Sequence, residues 1–272
     1  MKLGVSSFTF PWAIGGIESD HPLEMDAFQL LEKAHVLGAD VLQIADNLPI
    51  GRLSEEVLQS LKSAADAFGI ALEVGTRGIK KENIERFLAI AQILGSPILR
   101  VVIDSKDHEP DIAEICELLR PFAPKFKSAN IKLAIENHDR LTCAEFNEII
   151  DRIGSDWVGI CLDTVNSLGA VEAPNTVVPA LAPRAINVHM KDFEIIRTNG
   201  QMGFTVRGTA LGKGRLDVEE VIAAVGGSNR DITAVIELWT PRQESYSATV
   251  ALEDAWASES VAFLRKSIGL KV

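Results

Sequence analysis

Short apolar runs and amphipathic stretches alternate along the chain from its first residues. Candidate strands read "KLGVSSF" (2–8), "DVLQIAD" (40–46), "IALEVGT" (70–76), "PILRVVID" (97–104), "IKLAIEN" (131–137), "WVGICLD" (157–163), "AINVHMK" (185–191) and "TAVIELW" (233–239). Between them lie segments such as "MDAFQLLEKAHVLG" (25–38) and "ENIERFLAIAQILG" (82–95). Their apolar residues recur at three- and four-residue spacing and each ends in Gly, which predicts capped helices. Strands alternating with helices build a parallel sheet. Eight such strands in 272 residues predict an α/β protein of the (β/α)8 TIM-barrel type, a single domain over 1–272. No GxGxxG follows the first strand, so a dinucleotide-binding sheet lacks support.

Parity within the strands gives a sharper expectation, because alternate side chains of a strand point to opposite faces. Leu133 and Ile135 oppose Ala134 and Glu136; Val158, Ile160 and Leu162 oppose Gly159, Cys161 and Asp163. Ile186, Val188 and Met190 oppose Asn187, His189 and Lys191, and Ala234, Ile236 and Leu238 oppose Val235 and Glu237. The branched apolar set must face the helices. Glu136, Asp163, His189 and Glu237 therefore point into the barrel near the C-terminal ends of the fifth to eighth strands, where such barrels build their active sites. The last of the four comes late because a Gly-rich loop, "RTNGQMGFTVRGTALGKGRLD" (197–217), follows the seventh strand.

Three carboxylates and an imidazole converging on one mouth repel unless a cation joins them. One divalent ion resolves the conflict, and an oxygen-rich set with one nitrogen suits Mn2+, Mg2+, Co2+ or Zn2+. A single inward carboxylate is often half of a core ion pair, and Glu73 with Arg100, inward on the third and fourth strands, reads as one.

Composition narrows the partners. A formal net charge of −11 argues against nucleic acid or an anionic membrane as the main partner. No run approaches a membrane span, and "MKLGVSSFTFPW" lacks the long apolar core of a signal peptide, so a cytoplasmic protein is expected. Three dispersed cysteines, Cys116, Cys143 and Cys161, form neither a disulfide framework nor a CxxC metal site.

"LAIENHD", "GICLDTVNSLG", "NVHMKDF" and "VIELW" resemble the four metal-bearing segments of the xylose isomerase-like barrels known as sugar phosphate isomerase/epimerases. That group includes ketose 3-epimerases of the tagatose 3-epimerase type, hydroxypyruvate isomerases, inosose isomerases and dehydratases, and 3-dehydroshikimate dehydratases. The resemblance implies that Glu136, Asp163, His189 and Glu237 are metal ligands and that Glu136 and Glu237 are also the acid/base pair. It further implies a small-molecule sugar or sugar-acid substrate and a homo-oligomer.

The expected chemistry is isomerisation or epimerisation of a ketose or oxo-sugar acid through an enediolate. Glu136 and Glu237, three strands apart around the ring, would work from opposite faces. Ketose epimerases usually carry a His three residues after the metal-binding Asp, where this chain has Asn166. His138 and Lys191 are candidate substrate ligands, although Lys191 could instead pair with Asp192. Arg207 in the long loop is a second candidate anchor, since family members place a substrate-binding Arg in that region. Trp12, Phe8, Phe10 and Trp239 are candidates for an apolar wall. Lys191, Arg207 and His138 tilt the site towards an anion. The alternative is therefore a metal-dependent lyase, a decarboxylase or dehydratase acting on a 3-oxo sugar acid or carbocyclic polyol. A third reading, from another class, is a non-catalytic sugar-binding barrel. Five histidines are too few for the His-rich trinuclear site of the related apurinic endonucleases.

Overall fold

The structure, a computed structural model, describes residues 1–15, 24–200, 202–227 and 231–270. Its strands are β1 (Lys2–Ser6), β2 (Val41–Ile44), β3 (Ala71–Arg77), β4 (Ile98–Val102), β5 (Lys132–Glu136), β6 (Val158–Asp163), β7 (Ala185–Met190), β8 (Asp192–Arg197), β9 (Phe204–Thr209) and β10 (Thr233–Ile236). All but β8 and β9 close into a parallel barrel, ordered β1-β10-β7-β6-β5-β4-β3-β2, with helices between successive strands. The two quoted helical segments form Ala27–Val36 and Lys81–Leu94. They close where expected: Gly38 and Gly95 take φ of 68° and 65°, the left-handed region that Gly enters without a Cβ clash.

Hydrophobic burial is divided between two compartments. A large cluster fills the space between strands and helices and includes Leu133, Ile135, Ile160, Leu162, Val188, Met190 and Ile236, as parity requires. Inside the barrel, a small plug of Ile98, Ala134 and Cys161 closes the interior. Ile186 packs against that plug, whereas alternation assigns it to the helix side. The β6–β7 register explains this: Ile160 pairs with Ala185 but Cys161 with Asn187, so Ile186 is the extra residue of a bulge. Gly159 leaves room for it, since a Cβ there would lie 2.8 Å from Ile186 Cδ1.

The segment after the seventh barrel strand is more ordered than its Gly content suggests. Much of it is an antiparallel hairpin, β8–β9, with Glu194 opposite Arg207 and Ile195 opposite Val206. Asp192, at its root, accepts from the amides of Gly212 and Gly214 (both 2.9 Å) and of Leu216 (3.0 Å), tying the returning chain to the departing one. No helix among the described residues is long and apolar enough to cross a membrane.

Candidate active site

Glu136 ends β5, Asp163 ends β6, His189 is the penultimate residue of β7, and Glu237 directly follows β10. All four are buried. His189 Nδ1 lies 3.1 Å from Glu136 Oε2, 3.3 Å from Glu237 Oε1 and 3.8 Å from Asp163 Oδ2. One nitrogen thus faces oxygens from three carboxylates.

The other face of the ring fixes what Nδ1 must be. His189 Nε2 is 2.8 Å from Gln43 Oε1, and the Gln43 amide nitrogen donates to Glu73 Oε2 at 2.9 Å. Thr233 donates to the second Glu73 oxygen at 2.7 Å. A carboxylate only accepts, so Gln43 turns its NH2 to Glu73 and its carbonyl to the imidazole. Nε2 therefore carries the proton it donates to Gln43, and Nδ1 presents its lone pair or a second proton to the carboxylates. Burial works against an imidazolium here, but Glu237 and Glu136 outweigh it and raise the His189 pKa. Nδ1 is thus placed to hold a cation, a proton or a metal ion, between the carboxylates.

A metal fits this donor set. Asp163 Oδ2 and Glu237 Oε2 are buried against the Lys191 ammonium, and His189 Nδ1 is buried facing carboxylate oxygens alone. Asp163, His189 and Glu237 offer donor atoms within 4.8 Å of one another, as do Glu136, Cys161 and His189. Three oxygens and an imidazole suit a hard or borderline divalent ion. Burial, with Glu136 adding to it, pushes the Cys161 thiol well above its ordinary range, and its Sγ lies 3.9 Å from Glu136 Oε2.

Two cations balance the carboxylates. Arg100, buried, donates to Glu136 through Nε and to Asp46 through Nη1 at 3.0 Å. Burial opposes the Glu136 carboxylate, yet Arg100 and His189 hold it well below the usual carboxylate range. Lys191 Nζ lies 2.8 Å from Asp163 Oδ2 and 2.9 Å from Glu237 Oε2. Burial opposes its charge, but Asp163 and Glu237 raise its pKa, so it stays an ammonium. Its partners are these carboxylates and Asn166, not Asp192, whose oxygens are taken by the hairpin root.

The expected Glu73–Arg100 pair does not form. Register shows why: Arg100 lies beside Gly75, while Glu73 sits lower, beside Gln43. A Cβ at Gly75 would stand 3.3 Å from Arg100 Cδ, so the glycine makes room for an arginine that extends up to the mouth.

A cavity of about 450 Å3 opens above these groups, lined by Glu136, Glu237, Lys191, Asn166, His138 and Trp12, with Phe8, Arg100 and Trp239 among the remaining wall. Asn166 donates to Glu136 Oε1 at 2.8 Å. His138 lies 3.1 Å from Asp139 and 3.4 Å from Arg77 Nη2. Phe10 belongs to the core instead. Arg207 is not brought to the cavity; it sits on β9 with Nε 2.7 Å from Glu194. Sequence reasoning missed Arg77, which lines the same cavity and shares the inward parity of Glu73 and Gly75. It also missed the Gln43–Glu73 relay.

A buried carboxylate–imidazole centre at the C-terminal mouth of a (β/α)8 barrel is the arrangement of a barrel enzyme. The chain belongs to the xylose isomerase-like TIM barrel family, whose sequence profile matches residues 31–267. It is 35% identical over 264 residues to 3-oxo-isoapionate decarboxylase of Pectobacterium atrosepticum, a match spanning 97% of this chain and 95% of that protein. In fold it is similar to D-psicose 3-epimerase crystallised in the presence of D-fructose. That likeness has a TM-score of 0.74 at 18% identity, over 99% of this chain and 100% of the other. It is also similar to a xylose isomerase-like barrel protein from Mycobacterium smegmatis in complex with magnesium. There the TM-score is 0.67 at 17% identity, over 97% of each chain.

Proposed function

We propose that this protein is a divalent-metal-dependent lyase that decarboxylates a 3-oxo sugar acid. The observation that carries this reading is the set of basic side chains, Arg77, Lys191 and His138, that line the cavity beside the carboxylate–imidazole centre. Each has an acidic neighbour, Asp46 for Arg77, Asp163 and Glu237 for Lys191, and Asp139 for His138, and the carboxylate of an oxo-sugar acid would give them a further partner at the mouth. The match along nearly its whole length to a decarboxylase of a 3-oxo acid supports the same reading.

In a 3-oxo acid the ketone stands β to the carboxylate, so loss of CO2 leaves an electron pair that moves onto the ketone oxygen. Glu136, Asp163, His189 and Glu237 would hold the metal, which supplies positive charge beside that developing enolate oxygen. Lys191 stays charged, so its part is to orient and stabilise an oxyanion rather than to give up a proton. Glu237 is also held below the usual carboxylate range: burial opposes its charge, but His189 and Lys191 outweigh it. Glu136 and Glu237 are thus both ionised and act as bases. One of them, protonated from water, would deliver that proton to the carbon that has lost CO2 as the enolate returns to the ketone, so each turnover takes up one proton for each CO2 released. Phe8, Trp12 and Trp239 limit water at the mouth.

Epimerisation or isomerisation is the second reading, favoured by one specific feature. Glu136 and Glu237 stand three strand positions apart around the barrel, suiting proton removal and return on opposite faces. Mass spectrometry of ketose and oxo-sugar-acid panels incubated in D2O with the metal-loaded enzyme separates the two. Release of CO2 with deuterium at the carbon left behind is expected. Deuterium beside the carbonyl with every carbon retained would overturn the lyase reading in favour of the isomerase one.

A further inference from the structure

The C-terminal helix Tyr246–Ser267 carries a fully buried carboxylate, Glu253, that the chemistry above does not use. Its two oxygens accept separately from the backbone amides of Trp12 and Ala13, each at 2.9 Å. These amides open the short helix Pro11–Ile14 at the exit of β1. The grip places the Trp12 indole, whose Nε1 donates to the Thr240 carbonyl at 2.8 Å and whose ring meets Tyr246 edge-on at 5.9 Å. Trp12, so held, forms part of the cavity wall.

We propose that Glu253 is a positioning residue: by gripping the Trp12 and Ala13 amides it sets the Trp12 wall against the substrate, so its ionisation governs substrate affinity from outside the cavity. The proposal rests on the reading that this cavity takes the substrate. Around Glu253 the charged groups are Asp254, on its own helix, and Lys33, on the helix Ala27–Val36. Lys33 is committed to Asp254, so among the described residues no cation is paired with Glu253 directly. Burial pushes Glu253 up to about 7; the two amides and Lys33 pull it down, and Asp254 adds to the rise. The grip is strongest when the carboxylate is ionised, with both oxygens free to accept. Protonation as pH falls through this range converts one of them to a hydroxyl.

Stability moves the other way. A carboxyl whose folded pKa is raised favours the native state while protonated and loses that contribution as pH rises through the folded value. Glu253→Gln should therefore lose the fall in thermal stability that the wild type shows as pH rises through about 7, although it strands one of the two amides. A KM raised together with a loss of that pH dependence is what a merely structural residue would not produce.

The test uses the full metal-loaded chain, with Glu253→Gln and Glu253→Ala as variants. In the wild type, KM for the oxo-sugar acid should rise as pH falls through about 7. In Glu253→Gln, KM should be about tenfold higher at pH 8, with a smaller change in kcat and a flat pH profile, as expected for one charge-assisted hydrogen bond lost. Hydrogen exchange at the Trp12 and Ala13 amides should accelerate in both variants. An unchanged KM and pH profile, or unchanged exchange at those amides, would overturn the proposal. If no oxo-sugar acid or ketose is turned over at all, the functional reading fails on its own, and the exchange rates still decide whether the grip exists.

Discussion

Replacing Gln43 by Leu tests the centre without touching any of its four converging residues. The substitution removes two buried hydrogen bonds, from His189 Nε2 at 2.8 Å and to Glu73 Oε2 at 2.9 Å, and leaves an N–H and a carboxylate oxygen unpartnered. Each stranded group costs about 1–3 kcal/mol, so a stability loss of about 2–6 kcal/mol is expected. The second effect is separate. Without Gln43 the imidazole can turn or change tautomer, and loss of such a supporting partner typically lowers metal affinity about 10–100-fold. Calorimetric titration of Mn2+ or Zn2+ into chelator-stripped protein reads the affinity, and a denaturant melt reads the stability. A variant destabilised as calculated but with metal affinity within twofold of the wild type would refute the claim that Gln43 aims Nδ1. Absence of metal binding in the wild type would refute the metal centre itself.

Three further outcomes are expected. Glu136→Gln and Glu237→Gln should each abolish turnover while keeping the far-UV circular dichroism of the parent; near-normal rates in either would remove that carboxylate from the mechanism. Arg100→Met should cost about 3–5 kcal/mol in a urea melt, because it leaves Glu136 and Asp46 without their shared buried cation. Thiol labelling at pH 8 should be negligible in the native protein and reach all three cysteines on unfolding. Cys116, Cys143 and Cys161 are buried, and burial, with Glu172 adding to it, pushes Cys143 up to about 12.

The barrel and the direction of its inward side chains were legible because each rests on local alternation, which a single strand records by itself. Glu136, Asp163, His189 and Glu237 met because each stands near the end of its strand, so height hardly mattered. Arg100 shows where alternation stops. Parity says that Arg100 and Glu73 both point inward, but register sets them at different levels, and no single strand encodes register. Ile186 fails for a related reason, since a bulge resets alternation without any mark in composition. Arg77 is the next inward position after Gly75 by parity, but its charge closes the apolar run 70–76 and hides the end of the strand. The hairpin escaped because its glycines and exposed polar residues resemble a loop; its pairing is settled by Asp192, whose bonds reach residues about twenty positions away.

That root at Asp192 has a consequence for how the barrel can diversify. The chain leaves the seventh barrel strand and returns to the same carboxylate, and at Gly214 an added Cβ would fall 2.2 Å from Asp192 Oδ1, so the junction tolerates little change. The hairpin is held at this root and again at Gly208, where an added Cβ would fall 2.0 Å from Trp239 Cβ, and its tip lies beyond both. The hairpin is thus a detachable cassette: its tip can lengthen, shorten or be rewritten without moving a barrel strand out of step. A lineage could retune what approaches the mouth by exchanging this one insert, while the residues converging inside stay where they are.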